Sequence, residues 1–204
     1  MTIGVLALQG DFDAHRRRLE ELGAAVVLVK KPAQLDEIDG LVIPGGESGT
    51  FLKLLGEEGF EKLKQFVRLK PTFGTCAGAI LLASEVENPK QVGLGAIDIR
   101  IRRNAYGRQI DSSIREGQLL QSSLHAKPGS PLEMVFIRAP KIERLGAAVE
   151  VLATEGNDNV PVAVRQGTAM AATFHPELSE DLRVHQAFLD LIVNGSTGQT
   201  AACR

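Results

Sequence analysis

The stretch Gly74-Thr75-Cys76-Ala77-Gly78 joins a predicted strand, which begins after Pro71, to a predicted helix over residues 79–83. Glycines two positions before and two positions after the cysteine permit the sharp turn that lifts a side chain above the edge of a sheet. A strand followed directly by a helix is the repeating unit of an α/β sheet. The five residues therefore predict an α/β fold with Cys76 at the carboxyl end of a strand.

The rest of the chain continues the alternation of strands and helices, as the spacing of its apolar residues indicates. Predicted strands lie at residues 3–8, 24–29, 41–43, 96–101, 133–137, 149–154, 162–164 and 169–174. Predicted helices lie at residues 13–22, 50–55, 60–69 and 181–193. Because parallel strands need crossover connections, which place helices on both faces, we predict a three-layer α/β sandwich with a mostly parallel central sheet, flavodoxin-like in arrangement. One domain is expected over residues 1–194, followed by a polar tail at 195–204.

Composition argues against several classes of protein. The 204 residues are 44% hydrophobic, and 23 basic against 25 acidic residues leave a net charge of −2, without the positive field that concentrates nucleic acid. Residues 1–8 lack the pattern of a secretory signal, and no apolar stretch is long enough to cross a membrane. We therefore expect a cytoplasmic protein with no membrane or nucleic-acid partner. Cys76 and Cys203 form no CxxC or CxxH pair, so neither a disulfide framework nor a bound metal or cofactor is expected.

Cys76 has two interpretations. At the start of a helix its thiolate form is favoured, because backbone N–H groups and the helix dipole stabilise negative charge. The N–H groups of the turn can also receive the oxyanion of a tetrahedral intermediate. On this interpretation Cys76 is a nucleophile. The alternative is a small, buried, apolar side chain, which is the commoner fate of a lone cysteine.

The stretch Phe174-His175-Pro176-Glu177 follows the last predicted strand. Across the proline-stiffened turn Glu177 can orient the imidazole of His175, which would then serve Cys76 as a general base. The alternative is a local hydrogen bond from His175 at the strand end, with Glu177 capping the following helix. The weaker candidates are the remaining histidines: His15 and His185, which fall on polar helix faces, and His125, which lies in a loop.

The stretch Pro44-Gly45-Gly46-Glu47-Ser48 follows the third predicted strand. Paired glycines let backbone N–H groups point into a site without obstruction by side chains, which suits an oxyanion or a carboxylate. The alternative is a tight turn without a ligand. Three such motifs, each at the carboxyl end of a different predicted strand, predict one site at one edge of the sheet.

The order of these motifs resembles the class I, or triad, glutamine amidotransferase family. Further stretches resemble one branch of it, the glutaminase subunits of pyridoxal 5′-phosphate synthase: GVLALQG at 4–10, RNAYGRQ at 103–109, FIRAP at 136–140 and SED at 179–181. The similarity covers about residues 2–193. It implies a class I glutamine amidotransferase-like fold and the hydrolysis of L-glutamine to L-glutamate and ammonia.

The resemblance also implies roles for single residues. Cys76 would be the nucleophile, and His175 and Glu177 would complete the triad. The residues that would bind glutamine are Gly45, Gly46, Glu47, Ser48, Arg103, Ile137 and Arg138, and those whose backbone N–H groups would hold the oxyanion are Gly46 and Ala77. An arginine suits a substrate carboxylate because its guanidinium can bind both oxygens, whereas Arg100 and Arg102 are expected on a solvated strand face.

A partner is implied as well. The predicted domain takes up nearly the whole chain, so released ammonia must pass to another subunit before it is protonated. The resemblance implies that this partner is the synthase subunit of pyridoxal 5′-phosphate synthase, a (β/α)8 barrel, in a complex of twelve copies of each subunit. The alternatives that stay open are a glutaminase subunit of another ammonia-channelling synthase, a regulatory or scaffold protein with a vestigial site, and a cysteine peptidase of related architecture.

Overall fold

The computed structural model describes residues 1–105, 112–120 and 127–200, with side chains as far as residue 194. The strands in these ranges are β1 (Thr2–Leu6), β2 (Ala25–Val29), β3 (Gly40–Ile43), β4 (Thr72–Thr75), β5 (Ala83–Glu87), β6 (Ile97–Arg102), β7 (Ser112–Leu119), β8 (Pro131–Ile137), β9 (Lys141–Leu145), β10 (Glu150–Glu155), β11 (Val160–Gln166) and β12 (Ala169–Ala172). The α-helices are α1 (Phe12–Glu21), α2 (Ser48–Leu69), α3 (Ala77–Leu82) and α4 (Arg183–Thr200). Residues 106–109 of the RNAYGRQ stretch, His125 and Cys203 lie outside the described residues.

One large sheet has the strand order β2-β1-β3-β4-β12-β11-β10-β7-β8. Neighbouring strands from β2 to β12 are parallel, and those from β12 to β8 are antiparallel. A second sheet contains β5, β6 and β9. The α/β prediction is confirmed, and the parallel half brings the carboxyl ends of β1, β3, β4 and β12 to one edge. Ligands of such sheets bind at that edge.

Apolar cores cover both faces of the large sheet. One core packs α2 and α3 against it and includes the buried side chains of Phe51 and Leu81. The other packs α1 and α4 against it and includes Phe188. Successive residues of β3 enter different cores, Leu41 the first and Val42 the second, as the two-residue period of a strand requires. Fully burying one such side chain stabilises the folded state by about 1.5–3 kcal/mol. Because both faces of the sheet are packed in this way, the strand ends at its edge are held in fixed positions.

Several elements differ from the predictions. Strands β5, β7 and β9 were not predicted. In β7 the apolar side chains are those of Ile114, which is exposed, and Leu119, so its sequence lacks an apolar signal. The two helices predicted within 50–69 are present, because α2 consists of two helical segments separated by a break at Gly56, where φ is 62°. Helix α4 continues to Thr200 instead of ending at residue 193. The division of the chain at residue 194 stays a prediction.

The turn at Cys76 depends on close packing of α3 against β3. A Cβ atom added to Gly78 would overlap the backbone carbonyl of Ile43 on β3. A Cβ atom added to Gly74 would lie 2.5 Å from the carbonyl carbon of Gly78. The two glycines are therefore required because backbone segments meet there, a stronger constraint than turn flexibility alone.

We expect Gly78→Ala to lower the free energy of unfolding by about 1–3 kcal/mol, the usual effect of overpacking. Gly59→Ala is a matched control, because Gly59 is also a buried helical glycine but its added Cβ would make contacts of 3.4 Å or more. The higher helix propensity of alanine should then leave stability unchanged or raise it by up to about 1 kcal/mol. Urea unfolding measures both variants, and equal stabilities would contradict the close packing of α3 on β3.

Candidate active site

Cys76 occupies the turn between β4 and α3. Its backbone φ is 46°, and its N–H donates a hydrogen bond to the carbonyl of Ala172 on β12 at 2.8 Å. The residue is a free cysteine, and its Sγ lies 4.0 Å from the carbonyl oxygen of Ile137. Ala77 is the first residue of α3, so its N–H has no partner within the helix. A positive φ at a non-glycine residue beside a cleft is typical of a nucleophile held in place by its surroundings.

His175 and Glu177 form a buried pair behind the cleft. His175 follows β12, and its backbone N–H donates to the carbonyl of Val135 on β8 at 2.8 Å. A short 3₁₀ turn at Pro176–Leu178 folds the chain back, which brings Glu177 Oε1 to 2.7 Å from His175 Nδ1. The imidazole therefore presents its other nitrogen, Nε2, for chemistry.

The side chains of His175 and Cys76 approach each other at Gly45, in the loop that follows β3. A Cβ atom added to Gly45 would lie 3.0 Å from Nδ1 of His175 and 3.5 Å from Cβ of Cys76. Only a residue without a side chain fits between them. The structure thus brings together the three residues that the sequence predicted as a triad.

Burial and charge set the protonation of this pair. Burial lowers the pKa of His175, but its interactions with Cys76 and Glu177 outweigh burial and raise the pKa to about 10. Burial raises the pKa of Glu177, but His15 and His175 outweigh that effect and lower the pKa to about 2. At neutral pH the pair is therefore an imidazolium beside a carboxylate.

Gln9 holds the glycine loop in place, a role that the sequence did not reveal. Its Nε2 donates to the carbonyl oxygen of Glu47 at 2.8 Å, and the N–H of Glu47 donates to its Oε1 at 3.2 Å. The side chain of Glu47 caps α2 by accepting hydrogen bonds from the N–H groups of Gly49 and Thr50. Both contacts fix the loop that carries Gly46.

Arg103 lies beside that loop, as the sequence predicted. Its guanidinium donates to Glu47 at 2.7 Å and to Oε1 of Gln91 at 3.1 Å. The side chain of Arg103 is largely buried, with 15% exposure. Arg100 and Arg102 point away from the site and pair with Glu85 and Glu143 on the surface of the smaller sheet, as expected.

A cleft of about 420 Å³ lies over these groups, within the range of ligand sites. All seven residues predicted to bind substrate line it: Gly45, Gly46, Glu47, Ser48, Arg103, Ile137 and Arg138. Cys76 and His175 also face it, whereas Glu177 lies behind His175. The lining residues to which the sequence assigned no catalytic or substrate-binding role are Gly10, Asp11, Ile80, Asn104, Pro140 and Leu178.

His15 and His185 correct a prediction. They were expected on polar helix faces, but both are fully buried. His15 Nε2 lies 3.2 Å from Oε2 of Glu177, and His15 Nδ1 lies 3.0 Å from Nε2 of His185. The charged residues around His15 in α1 led to the prediction of a polar face. Its spacing to Phe12 and Leu19, however, places His15 on the apolar face of the helix.

The described part of the chain gives two further findings. Within residues 1–105, 112–120 and 127–200, no helix has the length and apolar character that crossing a bilayer needs. In the same ranges, no three or more histidine, cysteine, aspartate and glutamate side chains are grouped so as to hold a metal ion.

The fold and the cleft correspond to a known class. The chain belongs to the SNO glutamine amidotransferase family, whose model matches residues 5–194. A solved structure described as a glutamine amidotransferase is 42% identical, with a TM-score of 0.83, and the match covers 93% of this chain and 98% of that one. A putative GMP synthase subunit from Thermoplasma acidophilum has a TM-score of 0.72 at 18% identity, covering 98% of each chain, which shows the shared fold alone.

Particular relatives are closer in sequence. The subunit PdxT of pyridoxal 5′-phosphate synthase from Koribacter versatilis is 63% identical, over 98% of this chain and 100% of the relative. The protein of the same name from Solibacter usitatus is 50% identical, over 92% of this chain and 97% of the relative. The chain thus matches these relatives over nearly their full lengths.

We expect Glu177→Gln to change how stability depends on pH. Because the pKa of Glu177 falls from 4.5 to about 2 on folding, its carboxylate stabilises the fold above about pH 4.5, and this contribution is lost as the pH falls toward 2. Between pH 5 and pH 2 the unmodified chain should lose on the order of 3 kcal/mol more stability than the variant, at about 1.4 kcal/mol per pKa unit. Urea unfolding across this range measures the difference.

The exposed Glu180 provides the control for that experiment. Glu180→Gln should follow the unmodified chain at every pH. Parallel pH curves for Glu177→Gln and the unmodified chain would contradict a lowered pKa at Glu177.

Proposed function

We propose that the chain hydrolyses L-glutamine to L-glutamate and ammonia, with Cys76 as nucleophile and His175 and Glu177 as the rest of a catalytic triad. The observation that carries the proposal is the buried 2.7 Å contact between His175 and Glu177, at the wall of the cleft that Cys76 faces. Membership in a glutamine amidotransferase family and the names of the relatives support the substrate.

The first half of the reaction forms a thioester. His175 carries a proton at neutral pH, and Cys76 attacks through its thiolate, the nucleophilic form of a thiol. The thiolate attacks the carboxamide carbon of glutamine, and the imidazolium of His175 gives its proton to the amide nitrogen as the C–N bond breaks. Ammonia leaves, and the glutamyl group stays on sulfur.

The oxyanion of this step needs hydrogen-bond donors. We assign this role to the backbone N–H groups of Gly46, in the loop held by Gln9, and of Ala77, at the start of α3. Losing one such donor in a comparable site lowers the rate by about 10²- to 10³-fold.

The second half of the reaction releases glutamate. Neutral His175 takes a proton from a water molecule, which attacks the thioester carbon and frees the sulfur of Cys76. Glu177 keeps the imidazole oriented and stabilises its positive charge in both halves. The cycle ends with the proton on His175, ready for the next substrate.

Binding of the amino-acid end of glutamine is assigned to the mouth of the cleft. Glutamine carries an ammonium and a carboxylate on one carbon atom, and Arg103 and Glu47 present opposite charges side by side. The guanidinium can bind both carboxylate oxygens. Ser48, Arg138 and the backbone of Ile137 complete the wall around the substrate.

The ammonia must then reach an acceptor. We propose that the chain works as the glutaminase subunit of pyridoxal 5′-phosphate synthase and passes ammonia to a (β/α)8-barrel synthase subunit for vitamin B6 synthesis, in a complex of twelve copies of each. The names of its relatives as subunits of that synthase support this choice over another ammonia-channelling synthase. The cytoplasm as the place of the reaction stays a prediction.

We expect Cys76→Ala to abolish glutamate release from glutamine, with a loss of at least about 10³-fold, because no other group can form the thioester. Cys203→Ala is the control, since it removes the other cysteine of the chain and should leave the rate unchanged. A coupled assay for glutamate measures both. Substantial release by Cys76→Ala would rule out the thioester route.

We expect the synthase subunit to stimulate glutamate release more than other barrel proteins do. The assay compares this chain alone, with the pyridoxal 5′-phosphate synthase subunit, and with a barrel from another ammonia-using pathway. If only the barrel from the other pathway stimulates glutamate release, the chain is the glutaminase subunit of that pathway instead. Hydrolysis of peptides without any barrel would support a peptidase instead.

A further inference from the structure

Each carboxylate oxygen of Glu177 lies beside a histidine, and the proposed triad explains only the contact with His175. Oxygen Oε1 faces His175 at 2.7 Å. Oxygen Oε2 is buried, and among the described residues it has no hydrogen bond of good geometry. A buried carboxylate oxygen without a partner is costly. Its neighbour at 3.2 Å is Nε2 of His15, a fully buried side chain on α1.

His15 connects the two halves of the candidate site. Besides facing Oε2 of Glu177, its Nε2 lies 3.0 Å from Oγ1 of Thr75, the residue directly before Cys76. One ring nitrogen therefore faces an oxygen on the nucleophile strand β4 and an oxygen of the carboxylate that follows β12. No other described contact between side chains joins Thr75 to the His175–Glu177 turn.

Hydrogen-bond accounting selects one arrangement of protons. A carboxylate oxygen only accepts, so Nε2 of His15 must carry a proton if it is to stabilise Glu177. Neutral His15 then has a bare Nδ1, which accepts from Nε2–H of His185 at 3.0 Å. The remaining nitrogen of His185, Nδ1, is buried without a partner among the described residues, and in this arrangement it is a lone pair, not a stranded N–H.

We propose that His15 is a positioning residue for the reaction, which donates its Nε2 proton to Oε2 of Glu177 and to Thr75 and so sets the distance between the triad carboxylate and the nucleophile strand. His185 fixes the tautomer of His15. The proposal rests on the proposed function, because it assigns His15 to the same reaction. The series of close polar contacts runs from His185 through His15 and Glu177 to His175, which faces Cys76.

Charges around His15 agree with its neutral form. Burial is the largest effect on the pKa of His15 and lowers it. His175 lowers this pKa further, whereas Glu177 and Asp11 raise it by less than burial lowers it. Burial, with smaller effects from His15 and Arg18, also lowers the pKa of His185 to about 3, against an opposing effect from Glu177. Neither imidazole is therefore expected to take a proton near neutral pH.

The test uses three substitutions at His15 in the complex with the synthase subunit. His15→Gln keeps an N–H donor near the position of Nε2, His15→Asn places its amide near the position of Nδ1, and His15→Leu removes every donor. We expect the His15→Leu and His15→Asn variants to lower kcat by about 10- to 100-fold. A loss of this size is typical when a residue that orients a functional side chain through a hydrogen bond is removed, as at metal sites. KM for glutamine should stay unchanged, because His15 does not line the cleft. The His15→Gln variant should keep most of the kcat of the unmodified chain.

The pH profile separates positioning from a structural role. The N–H of neutral His15 lies 3.2 Å from the carboxylate of Glu177 and favours its charged form, so in His15→Leu the carboxylate takes up a proton at higher pH and the acid limb of the kcat profile moves upward. The profile of His15→Gln should match the unmodified chain. The control is Arg17→Ala, an exposed change on the same helix that should leave rate and profile unchanged.

A second measurement does not require glutamine hydrolysis. The rate of Cys76 alkylation by iodoacetamide, followed against pH in a Cys203→Ala background, reports the thiolate directly. Its acid limb should move upward in His15→Leu and not in His15→Gln. If the alkylation profiles show this pattern but the chain releases no glutamate, the proposed function is contradicted while the positioning role of His15 is supported.

Two results would overturn the role of His15. One is equal kcat and equal acid limbs in the Gln and Asn variants, a comparison that stands even if the Leu variant does not fold. The other is a rise in KM with unchanged kcat, which would place His15 in substrate binding.

Discussion

The contact between the carboxylate of Glu177 and the imidazole of His175 is the interaction on which the rest of the site depends. Both groups are buried, so each charge is stable only because the other is 2.7 Å away. A buried pair of this kind weakens steeply if either partner moves. Much of the surrounding structure can be understood as a way of keeping that distance constant.

Two different parts of the large sheet supply that rigidity. Cys76 and Glu177 follow the parallel strands β4 and β12, whereas the backbone of His175 hydrogen-bonds to Val135 on β8, at the far edge of the antiparallel half. The antiparallel half thus bends round to meet the parallel half, and it also brings the carbonyl of Ile137 near the thiol. The cleft lies where the two halves meet.

The sequence predicted the parallel strands and the three motifs because each leaves a local signal. Short apolar runs mark buried parallel strands, and glycines mark the turns after β3 and β4. Strand β7 could not be predicted, since its sequence, SSIREGQL, shows no alternation of apolar and polar residues although its burial alternates along the strand. The burial of His15 was missed for a similar reason: three arginines follow it directly, and the spacing to Phe12 and Leu19 is the signal of a buried face. The contacts of Gln9 with Glu47 and of His15 with Glu177 join segments far apart in the chain, and no local pattern encodes such pairing.

The burial of the two ion pairs of the site differs, and so does their response to dissolved salt. Glu177 and His175 are shielded from solvent, and mobile ions cannot enter to screen them. The pair of Arg103 and Glu47 at the mouth leaves Glu47 about half exposed, so added electrolyte weakens it. Ionic strength therefore acts on the entrance of the cleft and leaves its interior alone, which makes the concentration of a simple salt a tool for separating substrate capture from bond breaking.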